Sequence, residues 1–524
     1  MDRLKRFYIN GILMTAVALI IRYVAVKFNV YISEKIGDVA MGLFTLISSV
    51  YGFALTLATS GISLATTKRV SEAIGESERR RDGRACSSTG AIMKRSILLS
   101  MSISFSVGVA LFLLAPYIGK HLLGDVRTVS SLRILAVSLP PIALSSSLSG
   151  YFTAIRRVHK NAIVQMLSQA LRIYLSVLLL TSAVASDMES ACVSIVLGTT
   201  LSELIAFALH LLLFILDRRK ARLCSPVSAP DNRFAKRLLG ITVPVAFSAY
   251  MRSALVTVEH LLIPIGLEKS GSSRDISLAA YGSVHSLVFP LIFFPSAISS
   301  SFAGLLVPEI SESGSFGDKA RIERIISRVL KTVLIYSFGV AAIMICLSGE
   351  LGSIILGSIE SAKYVALIAP LIPVMYLDTS VDSILKGLGY QFYSMIINIV
   401  DASLSVVLVW LLLPRFGIMG YIITVYFTEI VNAALSITKL LIVSKIKVRL
   451  LDWVVKPLCA SVISTFLLSR VLALIHGYAH SRLGLFIHIG IIAVLYVIIL
   501  IVFRAISPSK IKRSITNFFN SERA

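Results

Sequence analysis

The stretch SILLSMSISFSVGVALFLLAP, residues 96–116, runs 21 residues without a charged side chain. A helix of that length crosses the roughly 30 Å hydrocarbon core of a bilayer. The same reading repeats along the chain, with apolar spans expected at 8–28, 40–66, 96–116, 131–153, 161–182, 190–216, 238–264, 279–307, 329–348, 364–385, 391–413, 418–438, 454–475 and 483–503. The expected fold class is therefore an all-α polytopic membrane protein with 14 transmembrane helices. Of the 524 residues, 56% are hydrophobic and 15% charged, well under the quarter expected of a soluble domain. No linker is long enough to hold a soluble domain. The start, Met1 to Arg6 followed by an apolar run, imitates a signal peptide. Its run is too long, contains Arg22 and lacks a small-x-small cleavage site, so it is read as a retained helix.

The net charge of +23 points to nucleic acid only if the basic residues share one face or tail. Here they form short clusters between spans, such as Arg79-Arg80-Arg81, Arg156-Arg157 and Arg218-Arg219-Lys220. An even number of spans puts both termini on one side, and that side holds about 37 Lys and Arg against about 10 on the other. Both termini are thus expected in the cytoplasm of a multi-pass protein of the cell membrane, with the clusters near anionic lipid headgroups. Nucleic acid is excluded as a partner. Cys86, Cys192, Cys224, Cys346 and Cys459 form no C-x-x-C pair and no Cys/His cluster, so no disulfide frame or zinc site is supported.

A shift of 240 residues superposes Gly42 on Gly282, Ser60 on Ser300 and Ser71-Glu72 on Ser311-Glu312. A shift of 233 sets Pro140 on Pro373, and 226 sets Glu203, Ala208 and Leu209 on Glu429, Ala434 and Leu435. The constant order and drifting offset describe two copies of six spans, related by an axis along the membrane normal. The expected division is 1–220 for the first lobe, 221–450 for the second with a cytoplasmic linker at 217–237, and 451–524 for the last two spans and a basic tail. Pro140, Pro141, Pro244, Pro290, Pro295, Pro370 and Pro373 lie inside spans, so the fourth, seventh, eighth and tenth spans are expected to bend.

An ionisable group within a span is costly unless it faces an interior or a watery cavity. Arg22, Arg172 and Arg252 are such groups, whereas Arg133 lies near a span end and can snorkel. Arg22 and Arg252 occupy corresponding spans of the two copies and are candidates to bind a phosphate, which guanidinium matches bidentately. Arg172 is a weaker candidate for the same role. The structural alternative is that these arginines pair with Glu259, Glu203 or Asp401. Asp378 and Asp382, four apart, share a helix face able to take a proton or a cation. Asn398 and Asp401, three apart, offer hard oxygen ligands, though fewer than a cation normally needs, and polar glue between helices is the alternative. Glu259 adds a further coupling candidate, beside His260. The duplicated Glu203 and Glu429 favour a structural role, the first beside Arg172. No P-loop, nucleophile elbow or dinucleotide turn occurs, and extracytoplasmic connections reach only about 17 residues. An enzyme is disfavoured, and no cofactor or metal is expected.

The stretches MGLFTLISSVYGFALTLATSGISLATTKRVSEA (41–73) and SAYMRSALVTVEHLLIPIGLEKSG (248–271) carry a family resemblance. So do FPSAISSSFAGLLVPEISE (294–312), PLIPVMYLDTSVDSILKGLGYQ (370–391) and LLPRFGIMGY (412–421). The chain resembles the stage V sporulation protein B group of polysaccharide-type flippases, in the superfamily of the MurJ lipid II flippases and the multidrug and toxic-compound exporters. The resemblance implies two pseudo-symmetric six-helix lobes around a central cavity, with two extra helices beside them. It implies an undecaprenyl-diphosphate-linked saccharide or peptidoglycan precursor as substrate, for wall, spore-cortex or polysaccharide synthesis. Arg22 and Arg252 resemble the cavity arginines of the lipid II type, and Asn398 with Asp401 resembles part of a sodium site. The implied partners are the lipid-linked anionic saccharide, anionic membrane lipids, Na+ or H+, and cell-wall synthesis enzymes, around a monomer. A cation-coupled exporter of drugs or metabolites and a non-transporting scaffold are the alternatives. The first calls for acidic groups in the first lobe, where the first span carries Arg22 and no carboxylate.

Overall fold

The computed structural model describes residues 2–80, 85–155, 157–182, 188–220, 234–300, 310, 319–446, 448–474 and 482–505. Arg81, Arg156, residues 221–233 of the expected linker, Ser311-Glu312 and the tail from 506 lie outside them. Among the described residues all regular structure is helical. In chain order the first helices are α1 (Asp2–Thr59), α2 (Ile62–Arg80), α3 (Ala85–Tyr117), α4 (Thr128–Ala154), α5 (Val158–Ser182), α6 (Met188–Lys220) and α7 (Phe234–Lys269). There follow α8 (Arg274–Gly282), α9 (Phe289–Phe293), α10 (Lys319–Cys346), α11 (Ile359–Ile368), α12 (Ile372–Gly387), α13 (Gln391–Phe416), α14 (Ile418–Ser444), α15 (Lys456–Leu474) and α16 (Arg482–Val502).

Eleven helical stretches among the described residues are long and apolar enough to cross a membrane. The first, Ala18–Thr59, holds two expected spans, divided at Gly37, whose φ of 81° and ψ of 162° interrupt α1. A side chain is disfavoured at positive φ, so glycine lets the helix kink there without a loop. The expected spans at 238–264 and 454–475 coincide with α7 and α15. The fold is an all-α membrane bundle, consistent with fourteen crossings.

The chain divides into two compact units, residues 42–265 and residues 1–41 with 266–524. In the first, α4 packs against α2, α3 and α6, and α5 against α6. These contacts use small residues, because within lipid close backbone approach replaces the hydrophobic drive of water. A Cβ placed on Gly198 of α6 would lie 2.6 Å from the backbone nitrogen of Ser176 on α5. One on Gly150 of α4 would lie 2.7 Å from the carbonyl oxygen of Ser63 on α2. Ser100 and Ser147 hydroxyls meet at 2.6 Å across α3 and α4. One end is closed by Tyr151, Phe152 and Phe214, with Tyr151 edge-on to both rings. Beside them Asp217 of α6 accepts from Lys160 at 2.9 Å, from Tyr151 at 3.1 Å and from Arg157.

In the second unit α15 and α16 pack with α10, where Tyr496 Oη donates to the carbonyl of Ile335 at 2.8 Å. The eighth and tenth spans are broken at their prolines. Span eight passes from α8 through a wide π turn, Ser283–Val288, into α9, which stops at Phe293. Span ten is divided by a 3-10 turn, Ala369–Leu371, between α11 and α12. Spans four and seven stay continuous as α4 and α7 despite Pro140, Pro141 and Pro244. Near Pro140 the carbonyl of Ala136, four residues back, lies against Gly108 of α3.

The break in span eight strands backbone carbonyls, and side chains from three other helices reach them. Pro290 has no N–H for the carbonyl of Ser286, which accepts instead from Asn29 Nδ2 on α1 at 2.9 Å. Ile292 accepts from Tyr376 Oη on α12 at 2.6 Å, and Pro295, whose carbonyl also takes the amide of Ile298 at 3.2 Å, accepts from Tyr336 Oη on α10 at 2.8 Å. Phe293 accepts from Ser296 Oγ at 2.8 Å and from Arg22 on α1.

Two outcomes follow from this packing. Gly198→Leu should destabilise the detergent-solubilised protein by about 1–3 kcal/mol through overpacking, whereas Gly490→Ala, whose new Cβ meets nothing within 4 Å, should leave unfolding within about 0.5 kcal/mol of wild type. Equal unfolding midpoints for the two would refute the close α5–α6 approach. Asn29→Ala should cost roughly 1–3 kcal/mol in the wild type and clearly less in a Pro290→Ala background, where the missing N–H is restored. Additive losses in that double-mutant cycle would show that Asn29 does not serve the carbonyl stranded by Pro290.

Candidate functional site

Arg22 and Asn29 are seven residues apart on α1, two helical turns, and so share one face. That face meets the broken eighth span. Arg22 is half-buried, and its Nη1 donates to the carbonyl of Phe293 at 2.5 Å and to Ser296 Oγ at 2.6 Å. Its Nε and Nη2 bond no described residue. A guanidinium carries five N–H donors, so the break holds one edge of the group and leaves the other chemically able to take an oxyanion. Tyr376 and Tyr336, which cap the neighbouring carbonyls, stack with ring centroids 6.3 Å apart and fix the wall behind it.

Arg172 on α5 and Glu203 on α6 lie close enough to act on each other electrostatically. The Arg172 Nε is buried and bonds no described residue, so the contact is one of charge rather than a bidentate bridge. This is the expected pairing of the duplicated glutamate. Tyr51 sits near the same carboxylate and shares a hydrogen bond of 2.6 Å with Ser138. Arg252 stands on α7 in the unit of residues 42–265, exposed, and makes no hydrogen bond or ion pair with a described residue. Glu259 and His260 stand further along the same helix and are both engaged in interactions.

The acidic candidates of α12 and α13 belong to the other unit and are not brought into one cluster. Asp378 on α12 accepts from Asn432 Nδ2 on α14 at 3.0 Å. Asp382, one turn on, is held by Lys386 at 2.5 Å and by the Ser394 hydroxyl of α13. The pair thus bonds two different helices. Asn398 turns its amide back to the carbonyl of Ser394 at 2.8 Å. Asp401 lies one turn further on α13 and is also engaged. Among the described residues no three His, Cys, Asp or Glu side chains converge as a metal site.

Sequence reading missed Asn29, Ser296, Tyr336, Tyr376 and Asn432. For Asn29 the signal was available, since an amide seven residues from a membrane arginine shares its helix face. Asn432 stands three residues beyond Glu429 and so near its face. The tyrosines carried no signal, because their partners are backbone carbonyls far along the chain.

A family profile described as "Polysaccharide biosynthesis protein" matches residues 8–312, and one described as MatE matches residues 270–411. The chain is similar to "Stage V sporulation protein B" of Bacillus subtilis, at 24% identity over 523 residues, covering 97% of this chain and 98% of that protein. Among solved structures it resembles "Lipid II flippase MurJ, inward closed conformation" with a TM-score of 0.67 at 13% identity, over 94% of this chain and 98% of the other. It also resembles an inward-facing multidrug resistance MATE family transporter of the MOP superfamily, with a TM-score of 0.65 at 13% identity, over 84% of this chain and 100% of that one. The two solved structures are named as a flippase and a transporter. The chain belongs to the polysaccharide biosynthesis protein family, and its fold is that of the MOP superfamily of membrane transporters.

Proposed function

We propose that the chain is a flippase that moves an undecaprenyl-diphosphate-linked saccharide or peptidoglycan precursor across the cytoplasmic membrane by alternating access. The observation that carries this reading is Arg22, a half-buried guanidinium in the first span with one edge fixed on the broken eighth span. Fixed this way, it offers Nε and Nη2 to a diphosphate without ordering a loose side chain at the moment of binding. Arg252, exposed and without a side-chain bond to any described residue, is the second candidate for a phosphate, and Arg172 stays with Glu203. The names of the relatives, a sporulation protein and a lipid II flippase, support the substrate class. The duplicated sequence halves, 1–220 and 221–450, are proposed as the lobes of the cycle, each having exchanged its first segment, since residues 1–41 pack in the unit of 266–524 and residues 221–265 in that of 42–220, and 451–524 adds the last two spans.

With both termini in the cytoplasm, export moves negative charge away from a negative interior. Two phosphate charges then gain roughly 4–5 kcal/mol per 100 mV, enough to drive the cycle without an obligatory ion. Coupling to H+ or Na+ is a second reading, favoured by the Asp378–Asn432 contact between α12 and α14, where Asp401 and Asn398 stand on the intervening helix. Asp382 is the weaker member because Lys386 already neutralises it.

The test is translocation of a fluorescent undecaprenyl-diphosphate saccharide in proteoliposomes, with and without an inside-negative potential. Arg252→Ala should lower the rate about 10- to 100-fold, the equivalent of one charge-assisted hydrogen bond, with unfolding unchanged because no described partner is lost. Arg22→Ala should lower both rate and stability, since it also uncaps Phe293. Wild-type rates in Arg252→Ala would remove the phosphate role, and no translocation by well-folded protein with several headgroups would favour the exporter or scaffold alternatives.

A further inference from the structure

Away from the candidate site, the ends of α10, α15 and α16 gather basic residues around the carboxylate of Asp452. Lys331 of α10 donates to the carbonyl of Ala505 at 2.8 Å, just past α16 and next to Arg504. Arg504 holds a left-handed φ of 53°, and the amide of Ala505 returns to the carbonyl of Leu500 at 2.9 Å, a cap that fixes the end of the helix. Before α15 a π turn, Leu451–Val455, presents Asp452, which bonds Lys456 at 2.5 Å. Both Asp452 and Trp453 return their amides to the carbonyl of Arg449 at 3.0 Å, so the position of Arg449 is set by the same turn. The hydrogen bond from Lys456 lowers the Asp452 carboxyl below its ordinary range, and the charges of Lys456, Lys331 and Arg449 act in the same direction.

Three cations thus act on one carboxylate, and Arg504 stands beside the carbonyl that holds Lys331. The surplus is positive. The Arg449 side chain is exposed and makes no hydrogen bond with a described residue. Next to it Leu450 and Leu451 are 65% and 63% exposed, large apolar side chains on the same turn as the charges. Exposed aliphatic groups beside an exposed guanidinium at a span end match the boundary between acyl chains and headgroups.

We propose that this junction is a binding site for the headgroup of an anionic phospholipid, with Arg449 and Lys456 on its phosphate and Leu450 and Leu451 among its acyl chains. The site holds the first turn of α15 against α10 and α16, and it does not depend on what the protein translocates. Phosphatidylglycerol and phosphatidylcholine are titrated onto the purified full chain in a neutral detergent, and bound lipid is read by native mass spectrometry. Phosphatidylglycerol should bind at least about tenfold more tightly than phosphatidylcholine. Arg449→Gln should weaken it about fivefold and Arg449→Gln with Lys456→Gln about 25-fold, while Lys68→Gln on α2 should leave it unchanged. The single variant removes no described hydrogen bond, so it decides the matter even where the double variant folds poorly. Equal binding of the two lipids, undiminished binding by Arg449→Gln, or an equal loss in Lys68→Gln would overturn the site. Tighter binding of undecaprenyl phosphate than of phosphatidylglycerol would overturn it as well, assigning the cluster to a polyprenyl carrier.

Discussion

Every backbone N–H and C=O placed in hydrocarbon must be bonded within the protein, and the rest of the structure depends on that constraint. It makes all regular structure among the described residues helical. It also makes each departure from the helix an event that side chains must answer. The break of the eighth span is answered by Asn29, Arg22, Tyr376 and Tyr336, drawn from α1, α10 and α12. A polar group donated between helices in lipid contributes on the order of 1 kcal/mol, so four together outweigh any one pairwise contact. Pro290 therefore does more than bend one helix: it frees the Ser286 carbonyl for Asn29, and neighbouring carbonyls of the same break tie α10 and α12 to it.

The same economy governs the charges. Asp217 is buried at a span end but surrounded by Lys160, Arg157 and Tyr151. Arg172 and Glu203 share one environment across α5 and α6, and Asp382 is held by Lys386. These ions have partners and serve packing, because removing one would leave the other uncompensated in a medium of low dielectric. Arg22 differs. Its contacts are a carbonyl and a hydroxyl, neither of which carries a charge.

Much of this architecture is legible in the sequence. Apolar length alone, as in residues 96–116, identifies the spans, and Pro290 with Pro295 identifies a break that the structure contains. Pro140, Pro141 and Pro244 read the same way in sequence, yet α4 and α7 remain continuous. The difference lies in the surroundings: close approach of a glycine, as at Gly108 beside Ala136, is a feature of packing and not of local sequence. Among the site residues the charged ones announce themselves by their cost in lipid. The residues that orient them do not, because tyrosine and asparagine are ordinary in a span until a carbonyl 41 or 257 residues away is known to face them. Helical spacing places Asp378 and Asp382 on one face, but spacing cannot tell that the two acids turn to α14 and α13 respectively.

The choice of arginine at position 22 follows from the two demands made on it. A lysine could cap Phe293 or meet an anion, but its single ammonium is a point charge that would exchange one for the other. The guanidinium is planar and presents donors along separate edges, so Nη1 can stay on the carbonyl of Phe293 and on Ser296 while Nε and Nη2 face elsewhere. Anchoring one edge also removes most of the rotamer freedom that an arginine otherwise loses when it binds a ligand. A helix break stabilised by a cation is thereby also a cation stabilised in direction, and the cost of the prolines is recovered as preorganisation of the charge.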